Sequence, residues 1–391
     1  MKNKNIAIIF VDAGLGHRRD AYNLFISLRK NKYKVYLINV FDSDIVGKFY
    51  SNIWNFVKKV YEYSQRKMVL KEITKFPLLY FLMELYSFLI SKKLIEFIKK
   101  KKIKILISTH PLPLIDLSYK KNLKIKLINL IPDSIDYFSL WFYLLPGKNV
   151  FYFVNDRYSK EVLVRSGVSK ERIFVTGHVL PIEETEKSLA KIKKRIRNIK
   201  NGNYLLFVTT GGAGTNKLEI KQIISEYCKL KKGKLIINCN HHDWLFRELI
   251  GKRKIINKKE INDGVFVIGY TYTVKFSNLN IDFLVAIGEN ENEKRENSIK
   301  IFNKFFYKAD IIFTKPSELA FYSCGIPFVF FSPTNIVERR NFKVIPYAIK
   351  FNGLINSIEE IKKEIESGNL YLTPYFFGTK KIIRIIKNML K

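Results

Sequence analysis

Cysteine and histidine are scarce in this sequence, which has three cysteines and five histidines. Cys228, Cys239 and Cys324 lie far apart in apolar contexts, so we expect free thiols of a reducing compartment rather than a disulfide framework. The segment from Asn240 to Asp243 contains two adjacent histidines, but neighbouring side chains on a strand point to opposite faces. Because no metal-ligand spacing occurs elsewhere, the sequence predicts no metal site.

Long hydrophobic segments are also missing. The longest nearly uncharged run, from Phe76 to Ile90, is interrupted by Glu84 and is shorter than the ~20 residues that a spanning helix needs. A strand begins almost at the first residue, which leaves no room for a signal peptide. No phosphate-binding loop ending in Gly-Lys-Ser/Thr occurs, which argues against ATP hydrolysis. We expect a cytoplasmic protein.

Acidic residues are few, because 35 Asp and Glu stand against 69 Lys and Arg, for a formal charge of +34. Such a field attracts nucleic acid, anionic membranes and phosphorylated substrates. The heavy use of Lys, Ile, Asn, Phe and Tyr is also the bias of an AT-rich genome, which is an alternative cause. No zinc spacing, aromatic RNA-binding motif or Arg-rich arm is present, so nucleic acid is not an expected partner.

Continuous apolar runs, typical of buried parallel strands, alternate with helical patterns along the chain. The strands predicted in the first half are residues 6–11, 35–40, 103–108, 125–131, 151–154 and 173–176. Those predicted in the second half are residues 204–208, 235–239, 265–268, 311–313 and 328–331. This alternation, with a glycine-rich turn opening each half, predicts an α/β protein of two Rossmann-like domains.

The expected domains are an N-terminal domain over residues 1–185 and a C-terminal domain over residues 204–368. Residues 186–203 are charged and helical, and we predict a linker there. Residues 369–391 are predicted as a helix that packs back on the N-terminal domain. Since ligands of such sheets bind at the carboxyl ends of strands, we expect the two domains to face a cleft that holds the active site.

Candidate functional residues follow predicted strands of the first half. Gly14 and Gly16 let backbone amides approach a ligand, although a simple tight turn is the alternative. His17 comes next and is a candidate general base. Asp133 is a candidate base or acceptor-binding group, with a helix-capping aspartate as the alternative. His110, in Ser-Thr-His-Pro after a strand, and Trp141 complete the candidates of the first half, although His110 fits a structural histidine equally well.

Further candidate residues follow strands of the second half. The second glycine-rich turn suits a nucleotide diphosphate and lacks the Gly-x-Gly-x-x-Gly spacing of an NAD site. A later helix start offers groups for phosphate or ribose, and a carboxylate and an amide three residues apart suit sugar hydroxyls. Helix caps and a solvated helix face are the alternatives. The candidates are Thr210, Gly211, Gly212, Gly214, Lys315, Pro316, Ser317, Glu318, Glu338 and Asn341.

Taken in order, these motifs resemble those of the GT-B enzymes grouped as monogalactosyldiacylglycerol synthases and processive diacylglycerol glucosyltransferases. A more distant resemblance is to the N-acetylglucosaminyltransferase that makes the peptidoglycan lipid precursor. The matching segments are Gly14-Leu15-Gly16-His17, Ser108-Thr109-His110-Pro111, Pro132-Asp133 with Trp141, residues 175–181, residues 211–214, Lys315-Pro316, Gly325-Ile326-Pro327, and Glu338 with Asn341.

The sequence departs from this family's pattern in the donor half. The family's ribose-binding glutamate is replaced by Ala320, with Glu318 two residues earlier. The glutamine of its sugar-binding motif is replaced by Val337, and an acidic insertion runs from Gly288 to Glu296. The resemblance therefore implies a divergent branch of the family.

The resemblance implies an inverting, metal-independent transfer of a sugar from a nucleotide diphosphate, UDP, to a lipid or membrane-associated acceptor, without a cofactor. It assigns the N-terminal domain and its candidates to the acceptor and membrane side, and the C-terminal domain and its candidates to the side of the nucleotide-sugar donor. His17 or Asp133 would deprotonate the acceptor, and the second glycine turn would stabilise the departing diphosphate. The alternatives are a soluble GT-B enzyme such as a nucleotide-sugar epimerase, and a non-catalytic GT-B-like binding protein.

The resemblance also implies a peripheral protein on the inner face of the cell membrane. Residues 49–102 fit that role, because their aromatics are interleaved with lysines as in interfacial helices that bind anionic membranes. The alternative is that the aromatics form the domain core. The aromatics in question are Trp54, Phe56, Tyr61, Phe81, Tyr86 and Phe88.

Overall fold

The computed structural model describes residues 5–11, 15–41, 51–52, 77–120, 122–135, 140–145, 147–210, 214–317, 324–333, 336–344, 349–368 and 378–391. The chain forms two compact units, one of residues 1–182 with 374–391 and one of residues 183–373. Each unit has its own sheet with helices packed on it.

The described strands of the N-terminal unit form a parallel sheet in the order β2-β1-β3-β4-β5-β6. Its elements are β1 (Asn5–Phe10), α1 (Leu15–Lys30), β2 (Lys34–Asn39), α2 (Pro77–Lys100), β3 (Ile103–Ser108), α3 (Ile115–Tyr119), β4 (Lys126–Leu130), α4 (Leu140–Tyr143), β5 (Val150–Val154), α5 (Arg157–Arg165), β6 (Ile173–Val175) and, from the end of the chain, α13 (Gly378–Met389).

Alternating side chains of β1 supply both faces of this sheet, which is why its sequence is a continuous apolar run. Ile8 packs in one cluster with residues of α1 and α13, and Ile9 packs in a second cluster with residues of α2. Helix α13 begins where Thr379 donates a hydrogen bond to the carbonyl of Leu180, 2.6 Å away. The C-terminal helix is therefore part of the N-terminal unit.

The C-terminal unit contains α6 (Ile182–Leu189), α7 (Ile192–Lys200), β7 (Leu205–Thr209), α8 (Lys217–Leu230), β8 (Lys234–Asn238), α9 (Asp243–Ile250), β9 (Ile255–Asn262), β10 (Val267–Phe276), β11 (Leu279–Ala286), α10 (Glu291–Phe306), β12 (Ile311–Thr314), β13 (Phe328–Phe330), α11 (Ile336–Val344), β14 (Ile349–Lys350) and α12 (Leu354–Glu366). The order β14-β13-β12-β7-β8-β11 is parallel and is that of a Rossmann sheet. Strands β10 and β9 extend it as an antiparallel hairpin.

The predicted linker, residues 186–203, is wrong in this structure, because α6 and α7 pack within the C-terminal unit. Ile199 is fully buried in that unit's core. Arg195 is 2% exposed and donates hydrogen bonds to the carbonyls of Ala309 and Gly325, at 2.9 and 3.2 Å. One charge of this segment, that of Arg195, is therefore buried and hydrogen-bonded within the C-terminal unit.

Two other predictions in this unit need correction. The strand predicted at residues 265–268 begins only at Val267, because Asp263 accepts hydrogen bonds from the backbone N–H groups of Val265 and Phe266 and holds them in a turn. The acidic insertion at residues 288–296 does not interrupt the fold. It forms the first turns of α10, capped by Asn290, whose side chain accepts from the N–H of Glu293.

Cys239 and Cys324 are buried free thiols, and Cys228 is half-buried. Within the described ranges, no helix has the length and apolar character needed to cross a bilayer. The same ranges contain no cluster of three or more His, Cys, Asp or Glu side chains that could hold a metal ion.

Candidate functional site

Three predicted residues of the N-terminal unit lie at the carboxyl ends of neighbouring strands. His17 lies in the first turn of α1 after β1, His110 follows β3, and Asp133 follows β4. Because β1, β3 and β4 are adjacent in the parallel sheet, all three residues occupy one edge, where ligands of such sheets bind. We call this group the acceptor half-site.

His17 is held in a defined orientation and tautomer. Its Nδ1 lies 2.5 Å from the carbonyl oxygen of Thr109, and the Thr109 hydroxyl donates to the carbonyl of His17 at 3.1 Å. Since a carbonyl oxygen only accepts, Nδ1 carries the proton and Nε2 of the neutral ring has the lone pair. The side chain is half-buried. His17 therefore has the arrangement of a general base that acts through Nε2.

His110 has the opposite tautomer beside His17. The two ring centroids are 5.0 Å apart, and the backbone N–H of Leu112 donates to Nδ1 of His110 at 3.2 Å. The proton of the neutral His110 ring is therefore on Nε2, which can only donate. Burial, together with the charge on His17, holds the pKa of His110 well below its usual value of 6.5. His110 is thus a neutral hydrogen-bond donor at physiological pH.

Asp133 is connected to the histidines through two aromatic residues. The hydroxyl of Tyr143 donates to Oδ2 of Asp133 at 3.2 Å. The ring of Phe142 lies 4.9 Å from that of Tyr143 and 5.1 Å from that of His110. The half-site is therefore a continuous row of a base, a neutral donor, an aromatic pair and a carboxylate.

The structure describes only some of the other residues predicted for the acceptor side. Gly16 lies in the first turn of α1, next to His17. The backbone of Trp141 lies in α4, between Leu140 and Phe142. Gly14 and the side chain of Trp141 lie outside the described part of the structure.

The donor-side turn of the C-terminal unit ends in two left-handed residues. Gly214 has φ of 67° and Asn216 has φ of 63°, directly before α8. The Asn216 side chain donates to the carbonyl of Ser332, which follows β13, at 3.3 Å. The hydroxyl of Thr215 donates to Oδ1 of Asn216 at 3.0 Å. Thr210, which is buried, begins this turn.

Gly214 packs too closely on its neighbours for a side chain. A Cβ at this position would lie 2.8 Å from the Trp244 ring and 3.0 Å from that of His242, and both residues follow β8. The turn leads into the N-terminus of α8, a 14-residue helix whose first N–H groups and dipole favour an anion. The geometry of this end of β7 therefore suits a phosphate group.

A buried ion pair adjoins the turn. Lys315 directly follows β12, the neighbour of β7 in the sheet, and its Nζ lies 2.5 Å from Oε1 of Glu338 on α11. The two side chains are 7% and 3% exposed. Asn341 is fully buried one turn later on α11, and Ser317 is also buried. We call the turn with these four residues the donor half-site.

Several donor-side predictions are not described. Gly211, Gly212 and Glu318 lie outside the described residues, as does Ala320, and so does the side chain of Val337. Pro316 lies between the buried Lys315 and Ser317, whose N–H donates to the Lys315 carbonyl at 2.8 Å.

Some residues of the half-sites were not predicted from sequence. The sequence does contain a signal for Asn216, because a polar residue after a glycine turn and before a helical pattern is typical of a helix N-cap. Thr109 and Tyr143 act through contacts distant in sequence, which no local pattern indicates. His242 was weighed only as a metal ligand, whereas the structure places it against Gly214.

The C-terminal unit has the strand order of a Rossmann sheet, and the N-terminal unit has a related parallel sheet in which β1 lies between β2 and β3. The fold is that of GT-B proteins. Residues 21–182 match the family model of monogalactosyldiacylglycerol (MGDG) synthase, which confirms the resemblance for the N-terminal half. Residues 168–332 match a domain family of unknown function, DUF6938. No curated protein matches the chain.

Solved structures of the same fold include UDP-GlcNAc 2-epimerases. The enzyme from Rickettsia bellii has a TM-score of 0.53 at 13% identity, over 99% of this chain and 97% of its own. The enzyme from Neisseria meningitidis, bound to UDP-GlcNAc, has a TM-score of 0.52 at 13% identity, over 99% of both chains. At this identity the likeness establishes the GT-B fold alone.

Proposed function

We propose that the protein is an inverting glycosyltransferase that moves a sugar from UDP to a hydroxyl of a lipid or membrane-associated acceptor. The observation that carries the proposal is the fixed tautomer of His17, whose Nδ1–H donates to Thr109 and leaves Nε2 as the base. The match of residues 21–182 to MGDG synthase supports the same reaction class, since that enzyme makes a glycolipid.

In the proposed reaction, Nε2 of His17 takes the proton of the acceptor hydroxyl as its oxygen attacks the anomeric carbon. The bond to the diphosphate oxygen breaks on the opposite side, so a single displacement inverts the centre. The neutral His110 adds no positive charge beside His17, which favours proton uptake by His17. Asp133, held by Tyr143 at the other end of the row, orients the acceptor.

On the donor side, we propose that the N-terminus of α8 and Lys315 stabilise the departing diphosphate without a metal ion. Glu338 and Asn341, one helical turn apart, would bind sugar hydroxyls, which need both acceptors and donors. Glu338 also fixes Lys315 through their ion pair.

An exposed surface of apolar and basic side chains on α2 supports the proposed membrane acceptor. Leu85 and Phe88 are 45% and 61% exposed, and the exposed Lys92 and Lys99 follow on the same side of the helix. Tyr86, by contrast, packs against Phe41 in the core. Of the aromatics predicted to contact the membrane, Trp54, Phe56 and Tyr61 and the side chain of Phe81 lie outside the described residues.

The test is a UDP-release assay with a panel of UDP-sugars, with and without a membrane lipid extract. We expect UDP release that depends on the extract, with the sugar recovered in the lipid phase. In His17→Asn, which keeps a donor to Thr109, turnover should fall about 10²–10⁴-fold with unchanged UDP affinity. Interconversion of UDP-sugars without acceptor would instead establish an epimerase and overturn the proposal. Absence of UDP binding would indicate a non-catalytic protein.

A further inference from the structure

The antiparallel hairpin of β9 and β10 presents two large apolar side chains at its tip. Val265 and Phe266 are 79% and 70% exposed. The hairpin extends the Rossmann order of the C-terminal sheet beyond β11, so it is an addition to the parallel core. Neither half-site uses it. Two adjacent, largely exposed apolar side chains at a turn call for an explanation.

The tip is rigid, so these side chains are held outward by the backbone. Oδ1 of Asp263 accepts from the N–H groups of Val265 and Phe266 at 3.0 and 2.9 Å. Lys300 of α10 binds the other oxygen of Asp263 at 3.1 Å, and Lys304 donates to the carbonyl of Asn262 at 2.9 Å. Docking would therefore cost little conformational entropy in this turn.

The hairpin is strongly basic. Between Gly251 and Phe276 it carries six cations against the anions Glu260 and Asp263. Two of the cations, Lys258 and Lys259, lie within β9, and the other four lie at the end of the hairpin away from the tip: Lys252, Arg253, Lys254 and Lys275. Asp263 is paired with Lys300, which removes one of the two anions from the balance. The hairpin therefore complements an anionic surface.

A second copy of the chain fits this surface poorly. A stable protein interface buries about 800 Å² per partner, whereas the tip offers two apolar side chains and the rest of the hairpin adds the partly exposed Ile255 and Ile256. The edge strand β9 has adjacent exposed lysines, Lys258 and Lys259, at its centre, a feature that opposes edge-to-edge pairing. An apolar tip on a basic hairpin instead matches the composition of segments that insert into the headgroup region of a bilayer.

We propose that the β9–β10 hairpin is a membrane-docking element of the C-terminal unit, in which Val265 and Phe266 insert into an anionic bilayer. It is separate from the surface on α2 and does not depend on the chemistry of either half-site. A sugar-transferring protein and a protein without activity could equally carry it.

The test uses the full chain and sedimentation with vesicles of phosphatidylcholine, with and without phosphatidylglycerol. The double variant Val265→Ser/Phe266→Ser should bind anionic vesicles about tenfold more weakly than the parent. Leu218→Ser is the matched control, because Leu218 is 75% exposed on α8, and it should bind like the parent. Thermal unfolding should be unchanged in both, since the substituted side chains are exposed.

A second measurement, of tryptophan fluorescence, reports directly whether the tip enters the bilayer. The fluorescence of the introduced tryptophan is obtained by subtracting the parent's emission from that of the variant. When anionic vesicles are added, this emission should shift to the blue in Phe266→Trp and should not shift in Leu218→Trp. Equal vesicle binding by the Val265→Ser/Phe266→Ser variant and the parent would overturn the proposal. So would a concentration-dependent dimer in light scattering that this variant abolishes, because a second copy would then cover the tip.

Discussion

Substitution of Lys315 alone and together with Glu338 distinguishes a role of Lys315 in folding from a role in donor binding. Their 2.5 Å contact is almost fully buried. Lys315→Met leaves a carboxylate that is 2% exposed without this cation, and breaking a buried pair in this way costs about 3–5 kcal/mol. For a unit of this size, each kcal/mol lowers the unfolding midpoint by about 2–4 °C, so we expect a decrease of roughly 10 °C.

The double variant Lys315→Met/Glu338→Leu removes both charges. Replacing a buried pair by apolar residues is often neutral, so most of the lost stability should return. Affinity for UDP should not return, because the proposed phosphate-binding cation is missing. The assays are thermal unfolding by circular dichroism and UDP titration by calorimetry. A double variant that regains both stability and UDP affinity would show that Lys315 has only a structural role.

Three further predictions concern single residues. Gly214→Ala should weaken UDP binding at least tenfold, because its Cβ would meet aromatic rings at 2.8–3.0 Å. Gly368→Ala is the control, since Gly368 is also left-handed but has open space around it, and its UDP affinity, measured by calorimetry, should not change. Burial lowers the pKa of His178 to about 3, so only the unfolded state gains its proton as pH falls from 6.5 towards 3. His178→Phe should flatten the loss of stability in that pH window, measured by urea unfolding. His17→Asn should lower the maximal rate of UDP release and leave UDP affinity unchanged, measured by UDP release and calorimetry.

The apolar strands were predictable because parallel strands buried on both faces need continuous apolar runs, as β1 and β3 have. The hairpin was not, because β9 is exposed on its edge and carries lysines where a strand pattern needs apolar residues. Val265 and Phe266 give the opposite error. Because they are apolar, the sequence predicts that they belong to a buried strand, whereas they are exposed. An Asp-Gly pair before them, Asp263-Gly264, is the local turn signal that would have corrected it.

The candidate site was predictable where chemistry follows a strand end, as at His17, His110 and Asp133. What sequence could not provide is the protonation pattern of that site. The tautomer of His17 depends on a carbonyl 92 residues away, and that of His110 on a backbone N–H that the fold turns toward its ring. Arg195 illustrates the same limit, since its carbonyl partners at Ala309 and Gly325 are distant in sequence.

The central claim is that this GT-B protein transfers a sugar from UDP to a membrane acceptor. The most direct measurement incubates the protein with a radiolabelled UDP-sugar and a membrane lipid extract, then separates the aqueous and lipid phases. Our account predicts that the label moves to the lipid phase in equal amount to the UDP released, and that His17→Asn blocks both. Label that remains in the aqueous phase, as UDP-sugar or its epimer, across the panel of UDP-sugars would contradict it.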